Sequence, residues 1–173
     1  GFFNSFDSDR LYDAEDFSRY LDGIITNGCF PNDTGLLVEA NPEPIGVDPP
    51  SVIINPGKAY LNGLWFMNDA SYVYTIGTEQ LITPDMYHLI YLCFDTNDDG
   101  REVTVEYLTD AAPVIPEDGD GKYYLELALV ADKMNVQPGA SDITDLRDYA
   151  GVSGVGIDTP SLADSCVTTD KLN

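Results

Sequence analysis

Acidic and amide side chains that follow one apolar segment have the spacing of a calcium-binding loop. Asp95, Asn97 and Asp99 supply the first three specified residues of the pattern D-x-[DN]-x-[DN]-G-x5-E. Gly100 and Glu106 complete it, and the side chains offer the oxygen atoms that Ca²⁺ prefers as ligands. Strands are predicted on both sides instead of the helices of an EF-hand, which favours a β-hairpin turn. Calcium is the alternative interpretation of these side chains, and no other cofactor is predicted.

His88 is the only histidine and lies inside the apolar segment 87–94. An imidazole can act as a general acid or base near neutral pH. Its apolar surroundings favour a core or interface histidine instead. No Ser-His-Asp or Cys-His pairing, phosphate-binding glycine loop or distinct carboxylate pair accompanies it. The sequence therefore predicts a protein that is not an enzyme.

Arg147 stands among carboxylates in the sequence DITDLRD, residues 142–148. A planar guanidinium between acidic side chains can form a bidentate pair that fixes the end of a domain. An arginine engaged in this way has few donors left for an anionic ligand. The sequence therefore favours a structural role for Arg147 over substrate binding.

The charge of the chain narrows the choice of partners. Thirty Asp and Glu residues against eight Lys and Arg residues give a net charge of −22. Such a field repels phosphate backbones and anionic membrane surfaces, so neither nucleic acid nor a membrane is a predicted partner. It suits solubility, a basic protein partner or divalent cations. Cys29, Cys93 and Cys166 are far apart, which indicates buried free thiols and not a disulfide framework or a zinc site.

An amphipathic helix is predicted over residues 13–28. Asp13 can cap its first turn, and the Asn27-Gly28 pair can end it. The apolar residues of its single face are Phe17, Tyr20, Leu21, Ile24 and Ile25. We expect this face to cover a sheet or a neighbouring subunit, and so to serve in docking or oligomer formation.

The remainder of the chain has the pattern of strands. The Asn62-Gly63 pair between two apolar runs predicts a hairpin with a type I′ turn, in which Tyr60 faces Trp65. Further strands are predicted at residues 71–76, 87–94, 102–108 and 123–131. The predicted fold is mainly β, an antiparallel β-sandwich-like domain with an N-terminal α-helix and a C-terminal fibrous extension. The predicted regions are a helical arm (1–30), a β domain (31–150), and a linker with the start of an oligomeric shaft (151–173).

Apolar residues recur every five positions in the last segment. They are Ile157, Leu162, Val167 and Leu172. This period matches neither a helix nor a strand, so the segment has too few neighbours to bury its apolar side chains alone. Repeats of this kind gain stability by association, and the sequence predicts a homo-oligomer.

Several segments together resemble a known protein family. They are FFNSFDSDRLYDAEDFSRYLDGIITNG, PGKAYLNGLWFMND, YHLIYLCFD, YYLELALV and ITDLRDY. In this order they are similar to the N-terminal region of tail-fibre and baseplate proteins of tailed bacteriophages. SLADSCVTTDKLN resembles the ten-residue repeats of phage tail-fibre shafts.

The resemblance implies a structural virion protein at the tail tip or baseplate, made in the cytoplasm of the host bacterium. It implies a homo-oligomer, typically a trimer, whose N-terminal domain docks on other phage tail or baseplate proteins. No catalytic residues come with it. The alternative function is a carbohydrate- or receptor-binding β module that uses exposed aromatic residues such as Tyr72 and Tyr74. A fragment of a depolymerase is a third hypothesis, which the absence of a recognisable site disfavours.

Overall fold

The computed structural model describes residues 21, 24–31, 35–42, 50–76, 86–97, 102–132 and 136–151. Their strands are β1 (Gly28–Cys29), β2 (Val38–Ala40), β3 (Ser51–Ile54), β4 (Gly57–Leu61), β5 (Leu64–Asn68), β6 (Tyr72–Thr75), β7 (Tyr87–Asp95), β8 (Glu102–Asp110), β9 (Lys122–Ala131) and β10 (Ile143–Asp145). A 3₁₀ turn at Ala140–Asp142 precedes β10. The strands form three antiparallel sheets, ordered β1-β4-β5, β2-β3-β6 and β10-β9-β7-β8. The prediction of a mainly β, antiparallel fold is confirmed.

The two predicted extensions fall mostly outside the described residues. No α-helix is among the described elements. At the end of the predicted helix, the Leu21 carbonyl accepts hydrogen bonds from the N–H groups of Ile24 and Ile25, at 2.9 and 2.8 Å. The shaft segment lies outside the described part of the chain, so the fibrous extension stays a prediction. β1, which falls in the segment predicted as an arm, pairs with β4.

The hairpin of β4 and β5 is confirmed in its register and its turn. Asn62 and Gly63 have φ values of 48° and 86°, the positive values that a type I′ turn requires. Tyr60 lies opposite Trp65. Their rings meet edge to face, with centroids 5.6 Å apart and an interplanar angle of 74°.

β7 is the central strand of the largest sheet. It pairs with β8 on one side and with β9 on the other along its whole length. Residues 88–94 are all buried. This agrees with the unbroken apolar run, which predicted a strand covered on both faces. Two separate apolar clusters therefore flank it.

The larger cluster joins all three sheets. β7 contributes Ile90, Leu92 and Phe94 from one face. The two three-stranded sheets contribute Cys29, Val38, Val52, Ile54, Ala59 and Leu61. All these side chains are almost completely removed from water, and each buried aliphatic group stabilises the fold by roughly 1.5–3 kcal/mol.

A β-bulge in β9 keeps both faces of this sheet apolar. Ala128 pairs with Ile90 whereas Glu126 pairs with Tyr91, so Leu127 is an extra residue. Leu127 is fully buried in the larger cluster. Beyond it the alternation of β9 is inverted, because one inserted residue exchanges the two faces of a strand.

The second face of the sheet is covered by connecting segments. Leu89, Tyr91 and Cys93 form its buried centre. Ile115, from the connection between β8 and β9, and Leu146, after β10, pack against them. The connection between β8 and β9 therefore packs on this face of the sheet through Ile115.

The two ends of the described body are joined by backbone hydrogen bonds. The Cys29 N–H donates to the Asp148 carbonyl at 2.7 Å, and the Ala150 N–H donates to the Cys29 carbonyl at 2.8 Å. Thr26 and Gly151 are also linked: the Thr26 N–H donates to the Gly151 carbonyl at 2.9 Å. The Gly151 N–H donates to Thr26 Oγ1 at 2.7 Å. This terminal junction holds residues more than a hundred positions apart.

Gly28 makes the terminal junction possible. Its φ is 144°, a value that other residues rarely adopt. A Cβ at this position would lie 2.6 Å from the Ala150 nitrogen and 2.8 Å from the Asp148 carbonyl oxygen. No side chain fits between these backbone atoms.

Substituting Gly28 by alanine is therefore expected to destabilise the fold strongly. Backbone strain of this type alone costs about 1–3 kcal/mol, and the clash with the chain end adds to it. Gly119→Ala is the matched control, because a Cβ there meets no atom within 4 Å. Denaturant unfolding should show a large loss for Gly28→Ala and a change within about 0.5 kcal/mol for Gly119→Ala. Equal stability of the two variants would contradict this account of the junction.

Candidate functional site

Asp95 and Asn97, two residues of the predicted calcium pattern, lie together at the end of β7. Asp95 Oδ1 accepts hydrogen bonds from the backbone N–H of Asn97 at 2.9 Å and from its side-chain amide at 2.8 Å. Asp95 Oδ2 is 3.2 Å from Lys122 Nζ. The hydrogen bond from the Asn97 backbone, followed by those from Lys122 and the Asn97 side chain, lowers the pKa of the Asp95 carboxyl. Its oxygens are already engaged by protein donors.

Glu106 is held elsewhere on the same sheet. Asp95 lies opposite Glu102, and Glu106 is four positions further along β8, or roughly 13 Å at the rise of a strand. The Glu106 carboxylate accepts hydrogen bonds from the hydroxyls of Tyr91 at 3.0 Å and Thr104 at 3.1 Å. The structure therefore brings Asp95 and Asn97 together but not Glu106. Asp99 lies outside the described residues, among which no group of three metal-ligating side chains is found.

The residues predicted to dock or to form the oligomer are described only in part. Leu21 and Ile24 are half-buried. The others lie outside the described residues: Phe17, Tyr20, Ile157, Leu162, Val167 and Leu172. Their roles stay predictions.

His88 lies in a polar cluster at one end of the four-stranded sheet. Its Nδ1 is 2.8 Å from Thr109 Oγ1, and its Nε2 is 3.6 Å from Asp132 Oδ2. The ring also packs edge to face on Tyr107, with centroids 6.0 Å apart. Only 8% of the residue is exposed, which agrees with the first of the two predicted settings, a core or interface histidine.

The electrostatics of this cluster favour a neutral imidazole. Burial lowers the pKa of His88, and the nearby Asp132 carboxylate opposes this shift only in part. A hydroxyl, an imidazole and a carboxylate in sequence are the components of a nucleophile relay. The buried ring links β7 to β8 and to Asp132, the residue that follows β9.

The stability of the protein should therefore depend on pH through His88. An unfolded histidine takes up a proton near pH 6.5, whereas the pKa in the folded state is lower. Between the two values the unfolded state binds more protons, so the free energy of unfolding falls as the pH decreases below about 6.5, by at most about 1.4 kcal/mol per pH unit. Urea unfolding over this range measures the slope.

His88→Gln supplies the control, because its amide can still bond Thr109 but does not titrate. Since the chain has one histidine, the slope around pH 6 should vanish in this variant. A variant that retains the slope would show that another group produces it.

Arg147 has the structural role that the sequence favoured. Its Nε and NH2 donate to the two carboxylate oxygens of Asp145, at 2.8 and 2.7 Å. NH1 donates to the Gly35 carbonyl at 2.5 Å, and NH2 also reaches the Tyr149 hydroxyl at 3.1 Å. With 5% of the side chain exposed, no face of the guanidinium is free for a ligand. Sequence reasoning predicted the carboxylate partner but not Gly35, which is distant in the chain.

A cleft of about 380 Å³ opens where the margins of the three sheets meet. Its apolar lining consists of Ile54, Phe66, Tyr72, Val103 and Val105, and its polar lining of Asn68 and Thr104. β5, β6 and β8, which supply most of these residues, are each the last strand of their sheet. No strand among the described residues pairs with their outer sides.

Exposed apolar side chains continue from the cleft. Tyr72 is 52% exposed although it stands on the core side of β6, and Val73 is 54% exposed on the other side. On the face of β5 that points away from the larger cluster, Trp65 stacks on Phe30 with ring centroids 5.1 Å apart. Met67, on the same face, is 58% exposed. The sequence signalled Tyr72 as a candidate binding residue. The cleft beside it was missed, because its lining comes from four separate strands.

Comparison with known proteins adds no relative. No protein-family model matches the chain, and no curated protein and no solved structure matches it significantly. In the described part of the chain, no helix has the length and apolar character needed to cross a membrane.

Proposed function

We propose that this chain is a structural virion protein, a tail-fibre or baseplate component whose N-terminal domain attaches the fibre to a phage tail. One observation supports it best: the edge strands of three sheets surround a cleft that is bordered by exposed large apolar side chains. Surfaces of this kind mark sites of protein association. The polar groups around His88, Asp95 and Arg147 bond to other groups of the protein, which suits attachment better than catalysis.

The proposal includes a finer architecture. The body is a sandwich-like β domain, with a helical arm before it and the start of a shaft after it. Copies of the chain associate through the shaft, as a trimer in the resembling family. Other tail or baseplate proteins are the docking partners, in a virion assembled in the bacterial cytoplasm.

The net charge agrees with this role. A charge of −22 disfavours nucleic acid and anionic membranes as partners. Copies of the chain repel one another through this charge. Burial of the apolar side chains at five-residue spacing in the shaft offsets the repulsion. Each side chain buried between copies contributes roughly 1.5–3 kcal/mol.

Deleting residues 157–173 tests the proposal. The truncated chain is expected to be a monomer in light scattering, whereas the full chain forms one defined oligomer. The unfolding midpoint of the body should change little, because β1–β10 lie before the deletion. A truncated chain that keeps the full oligomer would contradict the role of the shaft.

A matched pair of variants separates the apolar repeat from the mere length of the segment. Leu162→Ser combined with Leu172→Ser should also give a monomer. Thr159→Ala combined with Thr169→Ala changes polar positions of the same repeat and should leave the mass unchanged. If both pairs behave alike, apolar burial is not what assembles the chain.

The second candidate function is a carbohydrate-binding module of the host-recognition apparatus. The exposure of Tyr72 at the cleft favours it, because sugars stack on accessible aromatic rings. Tyr72 and Tyr74 have ring centroids 6.2 Å apart, at an interplanar angle of 47°. The ring of Tyr74 is also packed on Tyr107, which leaves Tyr72 as the accessible platform.

Glycan binding would be expected to depend on Tyr72. A glycan array should show binding by the parent chain and by Met67→Ala, a control that removes an equally exposed apolar side chain away from the cleft. Tyr72→Ala should lose the signal. If the parent chain binds no glycan, this candidate function fails.

A further inference from the structure

We propose that the cleft beside β8 binds an extended, basic segment of a partner protein, which adds to the four-stranded sheet as a further strand. This inference rests on the attachment role proposed above and names the partner's chemistry. It depends on three properties of one place: a free strand edge, an apolar cleft next to it, and carboxylates along the same strand.

The free edge is the outer edge of β8, with which no strand in the described part of the chain pairs. This strand has nine residues and pairs with β7 from Glu102 opposite Asp95 to Asp110 opposite Tyr87. Each strand residue directs its N–H and C=O to one side only, so about half of the backbone groups of β8 point away from β7. A long unpaired edge is a template for another strand. β8 carries no proline and, among the described residues, no bulge that would block such pairing.

The cleft provides specificity on one face of the added strand. Val103 and Val105 of β8 line it, together with Phe66 and Tyr72. In a strand, alternate side chains point to the same face. Every second side chain of an incoming segment would therefore enter the cleft. Its apolar lining selects aliphatic side chains at those positions.

The depth of the cleft limits how many side chains enter. The rings of Tyr74 and Tyr107 meet edge to face, with centroids 6.1 Å apart, two residues beyond Val105. Neither residue lines the cleft, so the cleft ends before this contact. The volume of about 380 Å³ accommodates a few aliphatic side chains and no folded domain.

The other face of the added strand would meet negative charge. Glu102, Glu106 and Asp110 share the opposite face of β8, because they are an even number of residues apart. Glu102 and Asp110 are exposed, whereas Glu106 is half-buried and bonded to Tyr91 and Thr104. The whole chain adds a net charge of −22. Lysine or arginine at the alternate positions of the segment complements these carboxylates. A second copy of this chain would bring like charges together at this edge, so a basic segment of another protein fits it better.

A synthetic peptide tests the inference without the natural partner. It is as long as β8, nine residues, with lysine alternating with valine. Calorimetric titration into the full chain should show one site, weakened by added salt as expected for charge pairing. Amide hydrogen exchange should show new protection along β8. A peptide with glutamate in place of lysine should bind at least about tenfold more weakly.

Two variants of the chain locate the site. Tyr72→Ala should weaken peptide binding by about tenfold or more, because it removes an exposed wall of the cleft. Met67→Ala is the matched control and should change the affinity by less than about twofold, since Met67 is as exposed but does not line the cleft. Far-ultraviolet circular dichroism confirms that both variants fold.

Several results would overturn the inference. They are equal binding of the lysine and glutamate peptides, equal loss in the two variants, and protection that appears away from β8. Competition of the peptide by a glycan, without strand protection, would assign the cleft to carbohydrate instead. A chain that binds the peptide as expected but is a monomer at full length would refute the proposed oligomeric fibre role and leave this inference standing. A defined oligomer that ignores the peptide would do the reverse.

Discussion

The strand β7 is buried on both of its faces, and most of the architecture answers this one constraint. A strand in the middle of a sheet normally needs one apolar cover, but an unbroken apolar run needs two. The two three-stranded sheets cover one face, through side chains such as Ile54 and Leu61. The connection that carries Ile115 covers the other. Parts that look like separate sheets and loops are thus joined by a common requirement to remove β7 from water.

The same constraint explains where polar groups are found. A polar side chain on β7 or its neighbours must find a partner inside the protein, because water is excluded there. His88 meets Thr109 and Asp132, and Tyr91 meets Glu106. Burial and the Glu106 carboxylate raise the pKa of the Tyr91 hydroxyl. These groups satisfy one another and so link neighbouring strands inside the protein.

Sequence reasoning succeeded where the determining interactions are local and failed where they are not. The turn at Asn62-Gly63 depends on two residues, and its register follows from them. The pairing of Arg147 with Asp145 spans two positions and was equally accessible. The cleft and the junction at Gly28 depend on segments brought together by the fold, and no local pattern encodes them. The spacing of Asp95 to Glu106 offered a calcium site as the alternative to the favoured hairpin turn. Because Asp95 on β7 lies opposite Glu102, Glu106 is four residues further along β8 and far from it.

The terminal junction has a mechanical consequence. Because Thr26 and Cys29 are bonded to residues 148–151, the two ends of the body are fastened to each other at one point. A pull applied to the chain before and after the body is carried first by these few hydrogen bonds. The large sheet lies outside that load path until the junction opens. Tension along the chain would therefore act first on the hydrogen bonds of this junction, and through Cys29 it would reach the larger apolar cluster next.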